Sequence, residues 1–329
     1  MFDFQELAAY LSGRRVFIQT HNYPDADALG SAYGLQYLLS TLGVDAGIIY
    51  VGKIDKFNTQ QMIKLLGIKL IPADEVDLAE QDAIIVVDAQ KYNSNIRDCV
   101  GDEIACIDHH EILHQPNYPF CDIREEVGAC CSIIASYFLE LGIDIPVQHA
   151  TAMLYGIKMD TADLIRGMSE LDIDMFYHLY KRSNMDIIRT IQLNTMEFND
   201  LTSYAQAIES IRIFDNIGIA RINGFCPDAL IASIGDFMLS LVEVEITAVY
   251  NMRNDGVKIS MRSEIEPCNV AKVLGTALEG IGAGGGHHSM AGGFIPQEHV
   301  GPEFDDILQD RLLAAIHTQV SAYKSGQLA

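Results

Sequence analysis

Residues 83–88 read Ala-Ile-Ile-Val-Val-Asp, five apolar positions followed by a carboxylate. A run that stays apolar on both alternating faces belongs to a strand buried on both sides, as in the interior of a parallel sheet. Working outward, residues 15–20 (RVFIQT) form a short apolar strand ending at His21, and 44–50 read as another. Residues 104–107 form a further strand, followed at once by Asp108-His109-His110. The stretch 28–42 carries a helical pattern closed by Gly43, and helices are expected at about 128–142, 147–158 and 170–182. This alternation predicts an α/β fold built on an open, mostly parallel sheet with helices on both sides. Residues 184–209 lack Gly and Pro and read as one long helix. Beyond them, strands at about 217–222, 244–252, 256–262 and 291–295 and helices at about 227–241 and 268–279 precede a C-terminal helix. The expected organisation is a first domain over 1–185, a helical linker over 186–210, and a smaller α/β domain over 211–329.

The 329 residues suit two domains better than one core, and 49% hydrophobic against 20% charged residues is the balance of a folded chain. No stretch approaches the ~18 apolar residues of a membrane span. The start, MFDFQELAAYLSGRR, places its basic pair after the apolar part, the reverse of a secretory signal, so a cytoplasmic protein is expected. Seven scattered cysteines without a CxxC pair argue against a disulfide framework or a zinc ribbon. A formal net charge of −23 disfavours long duplex nucleic acid, which needs several Lys or Arg on phosphates. A nucleic-acid partner is therefore expected to be short, gripped by a few local cations and by metal ions.

Open α/β sheets place ligands at the carboxyl ends of their strands. There the sequence sets His21-Asn-Tyr-Pro-Asp25-Ala-Asp27, Asp88, and Asp108-His109-His110, with Asp160 at a helix end in Gly156-Ile-Lys-Met-Asp160-Thr161. Taken singly, Asp25 or Asp27 would cap the following helix. Carboxylates and imidazoles from four segments at one rim are a different matter. Two divalent ions ~3.5–4 Å apart activate water and neutralise phosphate oxygens, and holding them together requires a bridging carboxylate. Oxygen ligands with some imidazole suit Mn²⁺, with Mg²⁺ as the alternative.

These segments resemble the four motifs of the DHH phosphoesterase family, and Gly282 to Gly293 (GAGGGHHSMAGG) resembles the GGGH motif of its accessory DHHA1 domain. Within the family, the stand-alone nanoRNase and pAp phosphatase group is the nearest in pattern. The resemblance implies that His21 and Asp25 hold one metal, that Asp27, His109 and Asp160 hold the other, and that Asp88 bridges them. It gives His110 a role as phosphate contact or acid, makes water the nucleophile, and leaves Asp108 to orient its neighbours. Two departures stand out: Ala26 replaces the usual Gly of the first motif, and 127–132 (VGACCS) lacks the common Ser-Ser-Thr.

In the second domain, alternation places Lys258, Ser260 and Arg262 on one strand face and Val257, Ile259 and Met261 on the other. Lys258 reads as an ordinary wet-face residue. Arg262 and Ser260 resemble a phosphate-binding segment of the family, and a guanidinium suits a terminal phosphate. Gly284, Gly285, Gly286 and His287 read as a loop whose N–H groups reach a phosphate. The remaining histidines, including His114, His149 and His178, read as ordinary surface or core residues. The expected activity is metal-dependent hydrolysis of short oligonucleotides, linear dinucleotides or 3′,5′-bisphosphate nucleotides. The alternatives are exopolyphosphatase or pyrophosphatase activity, cyclic dinucleotide phosphodiesterase activity, and non-catalytic nucleotide binding. A homodimer is left open, and no membrane partner is expected.

Overall fold

The computed structural model describes residues 3–324 apart from positions 55, 94, 194, 195, 266 and 287. The chain divides into two compact units, Met1–Thr195 and Met196–Ala329. In the first, elements follow in the order α1 (Phe4–Leu11), β1 (Val16–Gln19), α2 (Ala26–Thr41), β2 (Ala46–Tyr50), α3 (Phe57–Leu66), β3 (Ile71–Pro72), β4 (Ala83–Val87), β5 (Asp102–Asp108), β6 (Phe120–Ile123), α4 (Cys130–Leu141), α5 (Val147–Asp160), α6 (Glu170–Tyr180) and α7 (Met185–Leu193). The six strands lie in the order β3-β2-β1-β4-β5-β6, and every pairing is parallel.

The apolar run that announced the sheet is β4, buried at all five positions. Its side chains divide by parity. Ile85 and Val87 join the cluster that holds α1–α7, whereas Ile84 and Val86 join Phe17, Ile49, Ala73, Ala89 and Cys99 on the opposite face. The expectation of helices on both faces is corrected here, because no described α-helix contributes to that second cluster. Right-handed crossovers place the β1-to-β2-to-β3 connections on one face and the β4-to-β5-to-β6 connections, which travel the other way, on the other. The latter connections carry no helix, and Ile96 and Tyr118 from them cover the sheet instead. Strand order reverses between β1 and β4, so the loops after these two strands diverge and open a crevice.

The expected single helix over 184–209 is also corrected. It is two helices, α7 and α8 (Asp200–Ser210), with residues 196–199 non-helical between them. α7 buries Ile188 and Ile191 in the first unit's core and packs on α3 and α5, so it is part of that unit.

The second unit continues with β7 (Arg212–Phe214), β8 (Ile217–Asn223), α9 (Asp228–Leu239), β9 (Ile246–Met252), β10 (Gly256–Ser263), α10 (Val270–Leu278), β11 (Ala283–Gly286), β12 (Met290–Pro296) and α11 (Phe304–Lys324). Its sheet has the order β11-β12-β10-β9-β8-β7, antiparallel except for β8 with β9. Val257, Ile259 and Met261 of β10 face α10 and α11 as their alternation requires. Ala220, Ile222 and Val249 face α8 and α9. The glycine run read as a loop is strand β11: residues Ala283 to Gly286 pair antiparallel with Phe294 to Ala291. Backbone pairing with β12 outweighs the freedom of the glycines. All seven cysteines are free, and no described helix is long and apolar enough to cross a membrane.

Candidate metal centre

β1 ends at Gln19, and the chain turns at Thr20 so that His21 stands at the rim of the crevice. The His21 Nδ1 lies 2.8 Å from Asn22 O, a bond that requires an Nδ1–H tautomer and turns Nε2 toward carboxylates. That Nε2 lies 3.7 Å from Asp25 Oδ1 and 3.6 Å from Asp88 Oδ2. Asp25 is the N-cap of α2, its Oδ1 accepting from the backbone N–H groups of Asp27 and Ala28 at 3.0 and 3.2 Å. The cap leaves Asp25 at the head of the helix beside His21, where its carboxylate could also reach an ion.

Asp88 follows β4 directly and has φ +58°, a left-handed conformation that costs a non-glycine residue ~1–3 kcal/mol. The residue is 2% exposed, and Oδ1 has no hydrogen-bond partner among the described residues. His109, after β5, repeats the arrangement of His21. Its Nδ1 donates to Val127 O at 3.0 Å, and its buried Nε2, likewise without a hydrogen-bond partner, faces Asp160 Oδ2 at 3.2 Å, Asp88 Oδ1 at 3.3 Å and Asp27 Oδ2 at 3.9 Å. Asp160 reaches the site because α5 lies hard against α2: a Cβ on Gly156 would stand 3.0 Å from Asp27 Cα and 2.5 Å from Cys131 Sγ.

Two groups of potential ligands result, His21 with Asp25 and Asp88, and Asp27 with His109 and Asp160, each with its donor atoms within 4.8 Å of one another. Asp88 lies against both, at 3.6 Å from His21 and 3.3 Å from His109. All six residues expected to bind metal are thus brought together. A third group, Asp88, Asp108, His109 and His110, overlaps them. His110 Nδ1 donates to Asp108 Oδ1 at 2.8 Å, and the other oxygen of this fully buried carboxylate accepts from Gln90 Nε2 at 2.7 Å.

The electrostatics of this assembly call for cations. Burial, with Asp27 and Asp25 nearby, holds the Asp88 carboxyl well above its ordinary range. Burial and the same two neighbours raise Asp160 to about 7. Burial opposes charge on His21, but Asp25 and then Asp88 overcome it and raise the imidazole to about 9. His110 also rises to about 9, burial being outweighed by Asp108. Carboxylates that repel one another in a dry pocket, with two buried atoms left unpaired, are relieved by positive ions. The donor set fits hard divalent cations: it contains only carboxylate oxygens and imidazole nitrogens. Burial pushes the thiols of the adjacent Cys130 and Cys131 well above the usual range, which keeps them neutral and out of the ligand set.

In the second unit, Arg262 Nε donates to Asp236 Oδ1 at 2.9 Å, and its Nη1 donates to Ser260 Oγ at 3.1 Å and Met261 O at 2.9 Å. Lys258 pairs with Asp228 at 3.0 Å. Gly284 to Gly286 lie on edge strand β11, and His287 lies outside the described residues. His149 stacks on Tyr33 with ring centroids 4.0 Å apart, an ordinary packed histidine. Sequence reading missed Gln90, the backbone donors at the start of α4, and Asp172. Only Asp172 carried a signal, since Ser169-x-x-Asp172 is a capping-box spacing.

A parallel sheet with a cage of carboxylates and imidazoles at its switch point defines a protein built around a divalent-metal centre. The DHH family, N-terminal domain, matches residues 15–157 and the DHHA1 domain matches residues 216–314, and the chain belongs to the DHH phosphoesterase family. An uncharacterised Methanocaldococcus jannaschii protein, MJ1633, is 31% identical over 282 residues, 85% of this chain and 58% of its own length. A probable manganese-dependent inorganic pyrophosphatase of Streptococcus mutans is 30% identical over 150 residues, 45% of this chain and 48% of its own. The cyclic-di-AMP phosphodiesterase GdpP of Geobacillus thermodenitrificans is 28% identical over 328 residues, 92% of this chain and 47% of its own. The chain therefore spans about half the length of these relatives, from 47% to 58%. Among solved structures, an exopolyphosphatase-related protein from Bacteroides fragilis shares the fold with a TM-score of 0.75 at 17% identity, covering 95% of this chain and 96% of that one. Exonuclease RecJ bound to manganese does so with a TM-score of 0.54 at 14% identity, covering 95% of each.

Proposed function

We propose that this chain is a metal-dependent phosphoesterase hydrolysing short oligonucleotides, linear dinucleotides or 3′,5′-bisphosphate nucleotides. The observation that carries this reading is the pair of ligand groups with Asp88 against both, Asp88 Oδ1 and His109 Nε2 being buried without a hydrogen-bond partner among the described residues. His21 and Asp25 would hold one ion, Asp27, His109 and Asp160 the other, and Asp88 both. When bound, two divalent ions supply Lewis-acid charge to the phosphate oxygens and lower the pKa of water. Mn²⁺ is the preferred ion, in keeping with the manganese-dependent relative.

The chain's own residues supply the rest. The backbone carbonyls of Asn22 and Val127 hold His21 and His109 in the tautomer whose Nε2 is available. His110 is raised to about 9 in the metal-free chain, burial being outweighed by Asp108, and neighbouring cations would lower it. With Nδ1 committed to Asp108, it offers Nε2–H to a phosphate oxygen or to the departing alkoxide. Ser260 and Arg262 are assigned to a terminal phosphate, with the guanidinium exchanging its Asp236 contact for the ligand, and the backbone of Gly284 to Gly286 serves the same end. Similarity to the phosphodiesterase runs over 92% of this chain and to the pyrophosphatase over 45%, which favours a nucleotide ester over pyrophosphate.

The test is a hydrolysis panel with Mn²⁺, with and without EDTA, on pAp, pApA, RNAs of two to two dozen nucleotides, cyclic di-AMP, pyrophosphate and polyphosphate. EDTA-sensitive turnover of the short nucleotides is expected. Absence of turnover on every nucleotide overturns the reading, and preference for pyrophosphate transfers it to the pyrophosphatase branch.

A further inference from the structure

The first turn of α4 and the segment leading into it hold two residues of the second ligand group through their backbone. Asp27 accepts from the N–H groups of Cys130 at 2.7 Å and Cys131 at 2.9 Å, and Val127 O accepts from His109 Nδ1 at 3.0 Å. Val127 C=O and Gly128 N–H are the two ends of one peptide unit. That N–H donates to Asp172 Oδ2 at 2.7 Å, so a single peptide plane has an imidazole at one end and a buried carboxylate at the other. The third ligand is held close by the same residue. A Cβ on Gly128 would stand 2.8 Å from Thr161 Cγ2 and 2.7 Å from Gly167 O, so only glycine lets the turn after Asp160 approach.

Asp172 does more than a cap requires. With Ser169 it forms the capping box of α6, its Oδ2 accepting from Ser169 N and Ser169 Oγ, both at 2.7 Å. It is also completely buried and takes two further donors, Gly128 N from the segment leading into α4 and Ser132 Oγ from α4 itself, the latter at 2.5 Å. Oδ2 thus takes three donors and Oδ1 one, and the two from Gly128 and Ser132 add nothing to the end of α6.

We propose that Asp172 is a positioning residue for the Asp27, His109 and Asp160 metal position, acting through the Val127–Gly128 peptide. Its negative charge polarises that amide, making Val127 O a stronger acceptor and fixing the His109 ring with Nε2 toward Asp88 and Asp160. The first position lies outside this chain of bonds, because Asn22 O orients His21. The proposal rests on reading the cluster as a two-ion centre.

The experiment is Mn²⁺ titration of the metal-stripped chain by calorimetry, in two backgrounds. His21→Ala reports the second position, and Asp160→Ala reports the first. Asp172→Asn, which keeps shape and removes charge, is expected to weaken Mn²⁺ about tenfold in the first background, the lower end of the range for outer partners of a ligating histidine. In the Asp160→Ala background the weakening should be clearly smaller, because only the shared Asp88 connects the first position to His109. Ser132→Ala removes a donor from the same carboxylate but leaves the peptide link, and should alter neither position. Equal weakening of both positions, no weakening of either, or an equal effect of Ser132→Ala overturns the proposal. Should Asp172→Asn fail to fold, amide NMR of the unmutated chain decides: the Gly128 N–H resonance must shift as Mg²⁺ fills the second position, and an unmoved resonance overturns the relay. An unmutated chain that binds no Mn²⁺ would instead remove the two-ion reading itself.

Discussion

The rim of the first unit and the Ser260–Arg262 face of the second both carry chemistry-bearing side chains, yet they are in opposite states of satisfaction. At the rim, Asp88 Oδ1 and His109 Nε2 are buried without a hydrogen-bond partner among the described residues, though they face each other at 3.3 Å, and Asp88 sits in a left-handed conformation. On β10, Arg262 is already paired with Asp236, Ser260 and Met261 O. Buried polar groups are ordinarily hydrogen-bonded. The first region therefore needs a ligand to be complete, whereas the second is complete and must exchange partners to bind one. Substitutions should accordingly be severe at the rim and graded on β10.

The largest effect is expected for Asp88→Ala, which removes the group common to both proposed ion positions. Turnover should fall by more than the ~10²–10³ that a single electrostatic contact supplies, while circular dichroism stays unchanged. Near-normal turnover would dissolve the contrast. The same substitution should raise the melting temperature of the metal-free chain, because it deletes a buried carboxylate that Asp27 and Asp25 repel and a residue at φ +58°. A lower melting temperature would mean that Asp88 has a structural partner.

Next comes proton linkage. Metal binding must expel the proton that His21 holds up to about 9 and the one that Asp160 holds up to about 7. Mn²⁺ affinity should thus weaken as pH falls below 9, by about tenfold per pH unit for each proton released, and more steeply below 7. Calorimetry in buffers of different ionisation enthalpy reads the protons directly. A flat profile between pH 9 and 6 would show that the ligands are already deprotonated.

Effects on β10 should be smaller. Arg262→Ala is expected to raise KM about tenfold with kcat little changed, the size of one charge-assisted hydrogen bond. A loss confined to kcat would place the arginine at the reacting phosphate. Lys258→Ala should leave both parameters unaltered, since its ammonium is engaged by Asp228.

What the sequence disclosed follows the same division. The strand at Ala83–Val87 and the residues at the strand ends were legible because burial on two faces and a polar residue at a carboxyl end leave local marks. The break between α7 and α8 was not, since residues 196–199 contain neither Gly nor Pro to punctuate them. Gly284 to Gly286 read as a loop because glycine permits one, but pairing with β12 is a tertiary fact. The proposed positioning of His109 by the Val127–Gly128 peptide was invisible because a backbone carbonyl and N–H make the contacts, and neither is marked by residue type.

The most direct test is EPR of the metal-stripped chain titrated with Mn²⁺. The proposed centre, five side chains clustered about the shared Asp88, predicts two ions per chain, spin-coupled at the ~3.5–4 Å spacing of paired metal sites, with the coupling lost in Asp88→Ala. A single ion, or two ions with uncoupled spectra, would contradict a binuclear centre at the β1–β4 switch point.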